Sequence, residues 1–402
     1  MITTKIHGKT YDLTNFNHPG GITPLHLINK NDGTVLFESY HPVSNRKKLQ
    51  QILSKYEVEN NYTINEQQIY DFSDSNKHLF IDEIKKEVNI YFYNLAKQNN
   101  CSLIESTKMT FSRKCEIVGL FIFFIFSLIK FINNSLYGLF LMPFSYFLLT
   151  VNTYHDISHC AFLTNKTIEN LLYPLFYSFQ SPYTWLDAHI HIHHNYTNIN
   201  RLTRLKLYEK NNYVIEYNKT GLFGGNKSLF EYFHNNYILL TIIYICAMLL
   251  SLKIMFYNNL IKYGIFRALI FTIIPNILLV LLYIIIDTPS HRHIDSLKYN
   301  KNYYIHQVIT AYNYNTNSTI IRLLSGGVNC QIEHHLFPSV NSCHLPNIAK
   351  IVKKSCLKYN ITYNESNNLF KLLYEINNPL ITILLSIIVV CGTLLICLGY
   401  YM

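Results

Sequence analysis

Four runs of apolar residues constrain this chain more than anything else in it. Ile117–Ile132, Leu136–Tyr154, Tyr237–Phe256 and Ile265–Ile286 are each roughly as long as a helix that crosses a hydrocarbon core of ~30 Å, the first two being somewhat short. The apolar residues, 49% of the 402, bunch into these runs, and only 14% are charged. The expected fold is therefore an α-helical polytopic membrane protein built from two transmembrane hairpins. A fifth run, Leu380–Tyr400, is expected to be a C-terminal transmembrane anchor. Met1-Ile2-Thr3-Thr4-Lys5 lacks the basic-then-apolar pattern of a cleaved leader, so the segment before the first run is expected to stay cytosolic.

The net charge of +10 is spread over the connecting segments. Arg201, Arg204, Lys206 and Lys210 follow the second run, and Lys350, Lys353, Lys354 and Lys358 follow the fourth. That bias favours cytosolic placement of both segments and an anionic bilayer surface, not nucleic acid, as the partner. Lys253, Lys262 and Arg267, around the third connection, obey the rule imperfectly. The nine cysteines form no CxxC pair, which points to reduced, structural thiols.

Three histidine clusters carry the chemistry. Tyr154-His155-Asp156-Ile157-Ser158-His159 ends the second run with His155 and His159 one turn apart on one helix face, a spacing that suits two ligands to one metal. Trp185-Leu186-Asp187-Ala188-His189-Ile190-His191-Ile192-His193-His194-Asn195 packs four imidazoles into six residues. His189, His193 and His194 span about 140° of a helix surface, whereas His191 lies off the His189–His193 line and beside His194. Gly326-Gly327-Val328-Asn329-Cys330-Gln331-Ile332-Glu333-His334-His335-Leu336-Phe337-Pro338 holds the third, with Gln331, His334 and His335 at QxxHH spacing. No glutamate stands where an HExxH zinc protease needs one. If the N-terminal segment is cytosolic, each hairpin returns the chain to that side, so all three clusters face the N-terminal domain. His291 and His293, just past the fourth run, are expected to be interfacial, not ligands.

Upstream, Asn17-His18-Pro19-Gly20-Gly21 sets a histidine in a tight corner, and His41 comes later in Tyr40-His41-Pro42. Two histidines on separate short helices can hold a haem iron from both faces, leaving no open position, so such a group moves electrons. This stretch resembles the cytochrome b5 family, and the resemblance implies His18 and His41 as axial ligands of haem b within an α+β domain at 1–62. Residues 63–110 are expected to be a linker; Lys77–Leu95 has apolar residues at helical spacing, suiting an amphipathic helix near the membrane or a soluble linker helix.

Behind such a domain, an HDxxH box, a histidine-rich box after a tryptophan and QIEHHLFP resemble the front-end fatty acyl desaturases over nearly the whole chain to about residue 360. The resemblance implies a desaturase domain at 111–362 followed by an extension at 363–402. It implies a di-iron centre held by His155, His159, His189, His193, His194, Gln331, His334 and His335, with O2 as co-substrate. Electrons would come from NADH through a separate cytochrome b5 reductase and the fused haem. The substrate would be a fatty acyl lipid or acyl-CoA in an endoplasmic reticulum membrane, desaturated between an existing double bond and the carboxyl end, as in delta-5 and delta-6 enzymes. The family's second box is HxxHH, so this chain carries one extra residue there; counting from Trp185 favours His189 as ligand, and counting back from His194 allows His191. Asn198 keeps the family's spacing from His194, and Asn313 matches a family asparagine expected to bind a water near the site. Glu333 is expected to be solvated or to sit behind the ligands. A sphingoid-base delta-8 desaturase, a hydroxylase and a catalytically silent electron carrier share these features.

Overall fold

The computed structural model describes residues 1–59, 62, 64, 69–72, 78–173, 185, 189–190, 193–199 and 238–376. The expected anchor at Leu380–Tyr400, His191, and the basic residues from Arg201 to Lys210 lie outside the described residues.

The chain opens with an antiparallel hairpin, β1 (Thr3–Ile6) on β2 (Lys9–Asp12), in a register that pairs Thr3 with Asp12. Three short helices come next: α1 (Thr23–Ile28), α2 (Thr34–Tyr40) and α3 (Arg46–Leu53). Ile6, Tyr11, Leu13, Leu25, Ile28 and Leu36 close a small apolar core. His18 lies in the loop before α1, in the tight corner expected for it, and His41 is the residue that ends α2. Beyond them is α4 (His78–Asn99).

The first membrane hairpin is α5 (Phe111–Ile132) with α6 (Leu136–Ser158). The Thr110 side chain accepts the Arg113 N–H and so starts α5 ahead of the apolar run. The second hairpin runs from α7 (Ile238–Leu252) through a π-helical turn at Lys253–Tyr257, and returns as α8 (Ile265–Arg292). Among the described residues, four segments are long and apolar enough to cross a membrane: Phe111–Ile132, Leu136–Ser158, Ile245–Tyr263 and Ile265–Arg292. The third begins later than the apolar run, whose first residue is undescribed. Asn134, in the first hairpin turn, bonds Asn259 (3.0 Å) and Arg267 (2.7 Å) in the second. The turns thus share one end of the bundle. His155, His159 and His291 are at the other, because α6 and α8 outrun their apolar stretches.

That second end carries a cap: α9 (Tyr303–Ile309), β3 (Asn313–Tyr314), α10 (Thr319–Ser325), α11 (Gln331–Leu336), α12 (Leu345–Lys358) and β4 (Glu365–Ser366), with β4 parallel to β3. Phe80, Ile81, Ile84, Val88 and Phe92 form one buried stripe of α4 in a core with Ile348, Val352 and Cys356 of α12. So α4 packs as a wall of the cap, with its apolar stripe covered by α12. Glu38 of α2 joins the N-terminal unit to this cap. Its buried carboxylate meets His7 (2.8 Å), Lys85 of α4 (3.2 Å), Arg46 and the Tyr304 hydroxyl of α9. Burial alone would raise the Glu38 carboxyl, but His7, Lys85 and Arg46 hold it well below the usual carboxylate range.

Where bundle meets cap, the fully buried Arg113 bonds Glu116 (2.9 Å) and Asn152 Oδ1 (2.7 Å), and Arg322 of α10 grips the same carboxylate at 2.7 and 2.9 Å. Glu116→Gln takes the shared charge from two largely buried guanidiniums. The expected loss is at the low end of ~3–5 kcal/mol, because Glu116 keeps some solvent contact. It should be measured as a lowered thermal midpoint in detergent, and an unchanged midpoint would show that the cluster contributes nothing to stability.

Candidate metal centre

The three boxes converge. His155 and His159 come from the projecting end of α6, and His334 and His335 from α11. Gly326 and Gly327 turn the chain from α10 into the third box at φ 64° and 92°, and a side chain on Gly326 would lie 2.2 Å from the Val151 carbonyl of α6. Only glycine lets the box approach α6 so closely.

The second box solves its extra residue locally. The backbone is π-helical at His189, Ile190 and His193, and the His194 N–H donates to the His189 carbonyl at 3.1 Å, five residues back. A single π turn absorbs one inserted residue without rotating the next turn of the helix out of register. His189, His193 and His194 therefore keep ligand atoms within 4.8 Å of one another. Trp185 stacks on the His189 ring at 4.3 Å.

Among the described residues, His155, His159, His189 and His334 form one group of nitrogens and His193, His291 and His335 another, and the trio His189, His193 and His194 joins the two. His194 stands between them, its Nε2 at 3.1 Å from His334 Nε2 and its ring stacked 4.3 Å from His335. His291, expected to be interfacial, is thus inside the cluster. Its buried ring lies where α8 overshoots the bilayer, and Asn198 of the second box holds its carbonyl through Nδ2 at 3.0 Å. His293 is not in either group; it faces Asp295 and Glu375.

Proton positions on two rings are set by fixed acceptors. His291 Nδ1 faces the Thr310 carbonyl at 3.0 Å and must donate. His335 Nδ1 donates to Gln307 Oε1 at 2.8 Å, and the Gln307 amide is itself oriented by donating to the His194 carbonyl at 2.9 Å. Both rings then turn unprotonated Nε2 atoms toward each other at 3.1 Å, that of His291 also accepting from the Gln331 amide at 2.8 Å. Facing lone pairs in a dry interior call for a cation. Metal–nitrogen bonds of about 2.1 Å put neighbouring donor atoms roughly 3 Å apart, which is the spacing found here. Burial and neighbouring imidazoles push His159, His189, His193, His194, His334 and His335 well below the ordinary histidine value, so all are neutral, as ligands must be. His155 Nε2 and His194 Nδ1 are buried with no hydrogen-bond partner. The residues fit a pair of metal ions.

Gln331 lies beside His291 (2.8 Å), with its Oε1 unpartnered. Glu333 is fully buried, not solvated: Asn313 Nδ2 donates to it at 2.7 Å, Tyr363 at 3.0 Å, and burial pushes its carboxyl up to about 8. Asn313 Oδ1 accepts the Ile332 N–H at 2.9 Å. Asn313 therefore braces the third box. Asp156 plays a similar part for the first box, accepting from Asn341 Nδ2 and the Ser342 hydroxyl, both at 2.9 Å.

In the N-terminal unit the His18 and His41 rings stand perpendicular with centroids 6.0 Å apart. Two metal–nitrogen bonds of about 2 Å plus two ring radii need about 6 Å. His41 Nδ1 donates to the Phe37 carbonyl at 2.9 Å, which frees Nε2. At His18 the Gly20 N–H donates to Nδ1 at 3.0 Å, so that contact must be exchanged before Nε2 can ligate. The ring spacing fits a bis-imidazole haem; the His18 tautomer does not yet.

A bundle of membrane-length helices with paired groups of neutral imidazoles at one end defines an integral membrane protein equipped for metal-dependent redox chemistry. The chain belongs to the fatty acid desaturase family, whose model matches residues 134–367. It is an oxidoreductase acting on acyl lipids, in a family that generally uses two irons and O2. It is 25% identical to a protein named "Probable Delta(5) fatty acid desaturase C" of Dictyostelium discoideum, over 90% of this chain and 87% of that one. It is 24% identical to the Acyl-lipid (8-3)-desaturase B of the same organism, over 89% and 86%. It is 23% identical to the Acyl-lipid (8-3)-desaturase of Mortierella alpina, over 89% and 88%. No solved structure matches it significantly.

Proposed function

We propose that this protein is a front-end acyl desaturase of the delta-5/delta-6 type, working in polyunsaturated fatty acid biosynthesis. The observation that supports the metal reading most is the convergence of His155, His159, His189 and His334, and of His193, His291 and His335, with the unprotonated His291 and His335 Nε2 atoms 3.1 Å apart. His155, His159, His189 and His334 would hold one iron, and His193, His291 and His335 the other, with His194 between them and Gln331 beside His291. Iron bound there supplies the oxygen-dependent removal of two hydrogens from an unactivated acyl chain, with two electrons delivered from outside. The chain's own contribution is to bring eight imidazoles together and to orient His335 through Gln307 and His291 through the Thr310 carbonyl, with Asn198 on the His291 carbonyl. The likeness to relatives named Delta(5) and (8-3) desaturases favours front-end regiochemistry. His18 and His41 would hold haem b in the N-terminal unit, fed by NADH through a cytochrome b5 reductase. That unit and the histidines sit at the same end of the bundle, as a cytosolic face of the endoplasmic reticulum membrane requires of both.

Yeast expressing the chain and fed mono- and polyunsaturated acids should make an acid with a new double bond on the carboxyl side of an existing one. The His334→Ala control should make none. Mass spectrometry locates the bond, and long-chain bases from the same cells are scored together. A new bond in the long-chain base alone would replace the acyl assignment with a sphingolipid one, and haem-loaded protein without product or non-haem iron would leave an electron carrier.

A further inference from the structure

The N-terminal unit touches the metal centre itself. The Tyr40 hydroxyl, at the last residue of α2, lies 2.8 Å from His159 Nδ1, and the two rings stack with centroids 6.2 Å apart. His159 Nε2, on the other side of that ring, lies 2.9 Å from His189 Nε2 inside the first histidine group. A ring with one nitrogen in the ligand cluster and the other on an outside partner has the arrangement in which that partner fixes orientation and tautomer. Here the partner comes from another part of the chain, 119 residues away. Two further contacts hold the unit in this position. Ile190, in the π turn of the second box, is buried in the N-terminal core with Leu25 and Leu36, and Glu38 is gripped by Lys85 and Tyr304 of the cap.

We propose that Tyr40 is a positioning residue of the metal centre: its hydroxyl oxygen accepts the His159 Nδ1 proton and turns the Nε2 lone pair toward the metal, so the site is complete only with the N-terminal unit docked. This rests on the di-iron reading above and deepens it. An imidazole without that acceptor is free to rotate or to carry its proton on Nε2, where it cannot ligate.

The test uses the full-length protein with its iron, and measures loss of non-haem iron to a ferrous chelator. Tyr40→Phe keeps the ring and removes only the hydroxyl. Losing such a partner typically weakens metal binding 10–100-fold, so one of the two irons should leave faster by about that factor while the other leaves at the wild-type rate. The visible spectrum of the protein reloaded with Co(II) should change for one site of the two. Tyr304→Phe removes another buried hydroxyl from the same interface without touching His159, and should retain both irons as wild type does. Wild-type iron loss in Tyr40→Phe would overturn the proposal, and so would equal loss in both variants, which would mean that loosened docking is the cause. Wild-type protein that binds no non-haem metal would instead overturn the di-iron reading.

Discussion

His291→Ala protein should insert and fold normally, keep about one of its two non-haem irons, and lose desaturation by about 100-fold or more. The magnitude comes from geometry. Partners one shell out typically cost 10–100-fold when removed, and His291 stands in the ligand group, with its Nε2 at 3.1 Å from His335 Nε2. The Thr310 carbonyl and Asn198 already fix this ring and its backbone, so alanine removes a pre-oriented imidazole donor. Folding should survive, because the shortened side chain faces the cluster and the α8 packing around Leu279 and Ile286 is untouched. Iron analysis of purified protein, beside product analysis in yeast, decides the matter. Two irons and wild-type turnover in His291→Ala would remove it from the ligand set and leave His193 and His335 without a third donor.

The second large effect separates two neighbours in the second box. His189→Ala should abolish product and lower iron content, since His189 supplies a nitrogen to both groups that contain it, whereas His191→Ala is expected to stay within about twofold of wild type. The argument is the π turn: the bond from the His194 N–H to the His189 carbonyl closes the extra residue into one wide turn and leaves His189 on the side of His193 and His194. An active His189→Ala protein would return the ligand role to His191.

The spans were legible because apolar length alone determines them, although their ends were not. The Thr110 cap starts α5 before the apolar run, and α6 and α8 continue as helices through polar residues because the cap, not lipid, surrounds their ends. The box histidines were legible from density and spacing, and their convergence from hairpin parity. His291 was not, since a single histidine at a span boundary has no periodic companion; its only sequence signal is its position one step past a long apolar run. Tyr40 was equally silent, being one tyrosine among 33. The stripe of α4 was visible as a period, yet periodicity cannot say whether lipid, water or a protein core will cover it. Here the answer depended on Ile348, Val352 and Cys356, more than 250 residues downstream.

An insertion in an α-helix ordinarily turns everything beyond it by about 100° and would scatter a row of ligands. In the second box the His194 N–H reaches the His189 carbonyl five residues back, one residue more than an α-helical turn spans. The surplus is confined to one widened turn, and Ile190 on that turn has a buried seat of its own against the N-terminal core. A helix with one such turn can carry an additional residue between two positions and still present both on the same side.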